Sequence, residues 1–84
     1  MWDVELDCSG LLCPLPVLKA QKWLRSMAGG QVLALLATDA MAAVDVPLFC
    51  SQTGHQFLGS IPEAGATRHL IRCKGPSEGA EGDA

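Results

Sequence analysis

Apolar and polar side chains alternate at the start of the chain, with Val4, Leu6 and Cys8 on one side and Glu5 and Asp7 on the other. That is the period of a half-buried strand. Ser9-Gly10 then turns the chain, and Leu11-Leu12 lead into Cys13-Pro14-Leu15-Pro16. Beyond this tetrapeptide the period lengthens. Val17, Ala20, Leu24 and Met27 recur at three- and four-residue steps, Lys19, Lys22 and Ser26 fall opposite them, and Arg25 lies near that polar side. The spacing predicts an amphipathic helix over residues 14–28, closed by Gly29-Gly30 in the position glycine favours after a last turn. Residues 31–38 are an almost unbroken apolar run. Such a run suits a central strand buried on both faces, and its place after a helix predicts a parallel, right-handed βαβ unit.

Asp39 follows this second strand as Cys13 follows the first. Parallel strands bring their carboxyl ends to one edge of a sheet, so Cys13 and Asp39 are expected to meet there. Asp39 also reads as the cap of a second helix over residues 40–53. Its apolar row is Ala43, Val46 and Cys50 with Phe49 beside it, and Pro47 in its interior is expected to kink or divide it. Gly54 ends that helix, and residues 55–61 and 67–73 read as strands on either side of a turn at residues 62–66. The order is therefore β-α-β-α-β-β. From Gly75 onward the chain is Gly, Ser, Pro, Ala and acid, which predicts one domain over residues 1–74 and a disordered acidic tail over residues 75–84.

The cysteine between strand and helix carries the chemistry. Proline is favoured at the first helical position, so Pro14 reads as that residue and Cys13 as the N-cap. A thiol there meets the positive end of the helix dipole. Pro16 removes one early donor, leaving mainly the amides of Leu15 and Val17 to approach the sulfur. Both influences favour the thiolate, the nucleophilic form. The residues thus allow two readings of Cys13, an exposed activated nucleophile or a structural cysteine filling the cap.

Composition narrows the class. The 84 residues carry a net charge of −3 and 5% aromatics with no Tyr, which excludes a basic or stacking surface for nucleic acid. No apolar run approaches the ~20 residues of a membrane span. The acidic, strand-like Met1-Trp2-Asp3-Val4-Glu5 is no secretory leader, so a cytoplasmic protein is expected. In that reducing setting Cys8, Cys13, Cys50 and Cys73 should be free thiols, and their spacing is not that of a zinc site. Cys8 reads as a buried small residue, with a Cys8–Cys13 disulfide as the alternative. Cys50, about ten residues into its helix at ~1.5 Å per residue, lies too far from Cys13 to pair with it. Cys73 reads as incidental, His55 and His69 as strand residues at the surface or in packing, and Trp23 and Phe57 as packing.

Taken together, Leu6-Asp7, Gly10-Leu11, Cys13-Pro14-Leu15-Pro16 opening a helix with Lys22, Thr38-Asp39, Asp45-Val46-Pro47, Phe49-Cys50 and Leu70-Ile71-Arg72 resemble the TusA/SirA-type sulfur-carrier proteins. The resemblance implies an α/β two-layer sandwich, a four-stranded mixed sheet with both helices on one face. It implies that Cys13 carries sulfane sulfur as a persulfide, with Pro14, Leu15 and Pro16 supporting the helix start. A cysteine desulfurase or rhodanese-like donor would load it, and a relay protein serving tRNA 2-thiouridine formation, sulfur oxidation or cofactor assembly would unload it. No cofactor or metal is implied, and the chain would be a transfer protein rather than a stand-alone enzyme. Leu12 and Leu15 stand where some members carry a basic residue and Glu, beside the sulfur, and so bear on partner choice.

Lys19, Lys22, Arg25 and Asp39 are the candidates for docking a partner. The plainer reading makes the three cations a solvated helix face and Asp39 a helix cap. Two other functions compete with carriage. One is a thiol redox module in which Cys13 pairs with Cys8 or glutathione. The other is a regulatory interaction domain with a structural Cys13.

Overall fold

The computed structural model describes residues 1–75. Its elements run β1 (Val4–Cys8), α1 (Leu15–Leu24), β2 (Val32–Ala37), α2 (Ala42–Thr53), β3 (Gln56–Glu63) and β4 (Ala66–Arg72). The strands form one sheet in the order β1-β2-β4-β3. β1 pairs parallel to β2, with Leu6 opposite Leu35, and the other two pairings are antiparallel. This is the mixed four-stranded sheet the sequence implies.

Strand alternation sends Cys8, Leu33, Leu35, Ala37 and Ile71 to one face, where they form a single core with Ala20 and Leu24 of α1 and Val46, Phe49 and Cys50 of α2. Both helices therefore cover the same face. The other face has no helix, yet Ala34 is fully buried there. Its cover is Arg68, which reaches Glu5 at 3.0 Å and Glu63 at 2.9 Å while its guanidinium stacks 4.7 Å from the centre of the Trp2 ring. An arginine can shield apolar surface with its stem and still satisfy its charge at the rim.

Several expected boundaries move, each for a local reason. α1 stops at Leu24 rather than at residue 28, and Ser26 and Met27 follow in tighter bonds to Trp23 O and Leu24 O. The buried Cys73 thiol donates to the carbonyls of Leu24 (3.5 Å) and Met27 (3.6 Å), taking the place of further helical donors. Cys73 is thus a structural part of the α1 terminus and not incidental. Gly75, assigned by composition to the tail, donates to the Cys73 sulfur at 3.3 Å; residues 76–84 of that expected tail lie outside the described residues.

α2 runs unbroken through Pro47. The carbonyl that Pro47 cannot bond belongs to Ala43, which is exposed and can turn to water. The buried row is accordingly Ala42, Val46, Phe49 and Cys50, with Ala43 facing out. Pro62-Glu63 belong to β3 rather than to a turn, because β3 is an edge strand and an edge tolerates a residue without an N–H. The hairpin turn is only Ala64-Gly65, with Gly65 at φ +70°. Trp23 is 47% exposed, not packed.

His69 is buried in β4 with its Nδ1 2.8 Å from Ser60 Oγ. His55 sits just before β3 and accepts from the Lys74 amide at 3.1 Å. Burial pushes both imidazoles below the ordinary histidine pKa, with Lys74 adding to the effect at His55. The unfolded chain then binds more protons than the folded one once the pH falls below about 6.5, so stability should decline from there down to the folded-state values. Urea titrations between pH 8 and pH 5 are expected to show the midpoint falling on the acid side; a midpoint flat across that interval would contradict the burial.

Candidate functional site

The carboxyl ends of the parallel strands β1 and β2 lead into two loops, and these loops build the site. Gly10, at φ +81°, allows the first loop to turn sharply, and its amide donates to Thr38 Oγ1 of the second loop at 2.8 Å. The Cys13 amide donates to Asp39 Oδ2 at 2.8 Å, and the other oxygen, Oδ1, accepts from the Met41 amide at 3.0 Å. One carboxylate thus clasps both loops. The Cys13 amide first and the Met41 amide second hold the Asp39 carboxyl below its usual range. Cys13 and Asp39 meet at the sheet edge, as parallel pairing requires.

Asp39 is not the N-cap of α2. That position is Met41, and Asp39 closes an Asx-type turn just ahead of it. Substituting Asp39 with Ala should speed hydrogen exchange of the Cys13 amide by about tenfold or more, since a bond to a charged acceptor is lost. Wild-type protection should itself fade as the pH drops through the lowered Asp39 pKa. Unchanged exchange in the variant would show that the clasp does not hold the loop.

The helix start also differs from expectation. Pro14, not Cys13, is the N-cap of α1, Leu15 is the first helical residue, and Pro16 follows, buried. The Cys13–Pro14 peptide is cis. No side chain caps α1, and the Leu15 amide already donates to Leu12 O at 2.9 Å. The sulfur therefore lies one residue outside the position where the dipole and first-turn amides act most strongly.

Cys13 is partly buried, packed against the edge of the core. Partial desolvation, the Asp45 carboxylate beside the thiol and then the charge of Asp39 push its pKa up to about 11. The expectation of an acidified thiol is overturned, because charge and burial both favour the protonated form. The sequence pattern around Cys13 does not single out Asp45. It lies in the first turn of α2, the helix that opens from the same edge, and the clue was an acid in the Asp45-Val46-Pro47 stretch.

The four cysteines are free thiols, so the alternative Cys8–Cys13 disulfide is absent. Cys8, Cys50 and Cys73 are all buried, and burial raises the thiol pKa at Cys8 and, to about 11, at Cys50. Around Cys13 the surface is apolar. Leu12 (71% exposed) ahead of α1, Leu15 and Leu18 in its first turns, Met41 and Val44 (59% exposed) at the start of α2 and Leu48 midway along it all face solvent. A shallow groove of about 230 Å³ between these helices is lined by Pro14, Val17, Asp45, Leu48, Phe49 and Gln52. The candidate basic residues line different depressions: Lys19 and Lys22 lie with Trp23 in one, whereas Arg25 lies in another with His55 and Lys74.

Residues 4–73 match the family described as Sulfurtransferase TusA. The chain belongs to the TusA family. It is 46% identical over 71 residues to the sulfur carrier protein TusA of Allochromatium vinosum, a match covering 84% of this chain and 93% of that one. With the protein of the same name from Pseudomonas entomophila it shares 44% identity over 72 residues, covering 86% and 90%. The crystal structure of a SirA-like protein from Desulfitobacterium hafniense superposes with a TM-score of 0.75 at 22% identity, over 83% of this chain and 96% of that one, and shows the shared fold. Among the described residues of this TusA-family chain, no helix is long and apolar enough to cross a membrane.

Proposed function

We propose that this TusA-family chain carries sulfane sulfur as a persulfide on Cys13 in the cytoplasm. A cysteine desulfurase or rhodanese-like protein loads it, and a downstream relay protein serving tRNA 2-thiouridine formation or sulfur oxidation unloads it. The observation that carries this reading is that Cys13 is the one thiol not buried among the four, set between two helix starts in an apolar surface. A redox module built on a pair within the chain would need a second thiol in reach, and Cys8, the nearest in sequence, is sealed in the core.

Loading exchanges one sulfur–sulfur bond for another. The Cys13 thiolate attacks the outer sulfur of the donor persulfide, and the donor cysteine leaves as a thiolate and takes up a proton. The new Cys13 persulfide then offers its outer sulfur to the next thiol by the same step. Access and thiolate fraction govern the rate.

Incubating the protein with a cysteine desulfurase and radiolabelled cysteine tests this. Label should join the chain and be released by excess thiol reductant. No labelling, or label that survives the reductant, would count against carriage.

A further inference from the structure

We propose that the end of the domain far from Cys13 holds a second site, in which Arg25, His55 and Lys74 bind the dianionic phosphate group of a small phosphate monoester. The inference goes beyond the carriage of sulfur and does not depend on it.

Both helices open beside Cys13 and close at this other end. α1 ends at Leu24 and α2 at Thr53, so about ten residues at ~1.5 Å each, roughly 15 Å, separate the sulfur from the last turns. A depression of about 240 Å³ lies there. Three side chains able to donate hydrogen bonds line it from three parts of the chain: Arg25 after α1, His55 between α2 and β3, and Lys74 after β4. No carboxylate among the described residues lines it. Both ion pairs among those residues belong to Arg68, so Arg25 and Lys74 are brought together without a counter-charge.

The bonds already made decide what the depression offers a ligand. His55 Nδ1 accepts the Lys74 amide at 3.1 Å, so the proton of the neutral ring sits on Nε2 and makes that nitrogen a donor. Lys74 spends one ammonium N–H on the Thr53 carbonyl and keeps two. Arg25, the C-cap residue of α1, is exposed and brings the planar fork of donors that matches phosphate oxygens. Two fixed positive charges and a neutral donor complement a group with three oxygens and two negative charges. Buried Leu24 and Phe49 add apolar lining, and the His55 ring lies 5.8 Å from that of Phe49. This suits the organic body of an ester better than a bare ion.

Amide chemical shifts of the full chain, followed by NMR during titration with inorganic phosphate and then phenyl phosphate, test the site. Ionic strength is held constant with NaCl, at about pH 8, where both probes are dianions. Signals of Arg25, His55 and Lys74 should shift and saturate. Phenyl phosphate should bind about threefold tighter or more, as part of its ring leaves water against Leu24 and Phe49. Arg25→Gln and Lys74→Gln should each weaken binding by about three- to tenfold. Lys19, Lys22 and Trp23, which share a separate depression, report any general attraction of anions to cations and should move little.

Shifts at Arg25, His55 and Lys74 that never saturate, or that the Lys19–Trp23 depression matches, would overturn the site. So would wild-type affinity in both variants, or phenyl phosphate binding no tighter than phosphate. The wild-type titrations need no substitution, so they stand even if a variant folds poorly. The residues after Gly75 include Glu78, Glu81 and Asp83, a second source of anionic oxygens. Phosphate affinity should be unchanged in the combined variant Glu78→Gln, Glu81→Gln, Asp83→Asn. Saturation seen only in that variant would assign the depression to the chain's own carboxylates and overturn the ester.

Discussion

Cys13→Ser is expected to reduce sulfur loading by a desulfurase to background while leaving the fold in place. A hydroxyl cannot hold a persulfide, and the thiols that remain, Cys8, Cys50 and Cys73, are shut in the core. The Cys13 side chain is only partly buried at the core edge, so exchanging sulfur for oxygen leaves no large cavity. Cys50→Ala supplies the contrast. It removes a packed thiol and should lower stability, yet each folded molecule should load as wild type does. Radiolabel counts normalised to folded protein distinguish the two. Loading retained in Cys13→Ser would move the carrier role to another residue and dissolve the site as described.

Leu35→Ala should produce the largest loss of stability. Leu35 is fully buried in β2, with Leu6 of β1 on one side and His69 of β4 on the other. A leucine-to-alanine truncation in such a place costs about 2–5 kcal/mol, the lost transfer energy plus the cavity. A domain of this size shifts its melting temperature by about 4–8 °C per kcal/mol, so Tm should fall by roughly 8–40 °C. Because folded domains hold only about 5–15 kcal/mol in reserve, a substantial unfolded fraction at 37 °C is expected.

The functional consequence runs through position. β2 leads into Thr38 and Asp39, which hold the Gly10 and Cys13 amides. Loading should therefore decline with the unfolded fraction and recover at a temperature where the variant is folded. Calorimetry combined with loading at two temperatures checks this. A Tm within a few degrees of wild type would mean that the core around Leu35 closes over the loss.

The change of period at Cys13, from two to three and four residues, was enough to read β1 and α1. The apolar run of residues 31–38 made β2 central and parallel, and that alone brings Asp39 to Cys13. What could not be read depends on partners remote in the chain. α1 ends early because Cys73, from the far end of the chain, takes its carbonyls. The second sheet face is covered because Trp2 and Arg68, at opposite ends of the sequence, stack there.

The reactivity of Cys13 shows the same limit. Local sequence placed the thiol at a helix dipole and argued for acidification. Pro14 instead occupies the cap, one residue on, and Asp45 comes in from a second helix. Partial desolvation and then the nearby carboxylates outweigh a dipole felt from outside the first turn. The acid itself was visible at position 45; its neighbour was not.

Peptide-level mass spectrometry of the wild-type protein, after incubation with a cysteine desulfurase and cysteine and without reductant, tests the account most directly. The peptide containing Cys13 should gain the mass of one sulfur atom, with the peptides of Cys8, Cys50 and Cys73 unchanged. An unmodified Cys13 peptide, or an added sulfur on any of the other three, would contradict it.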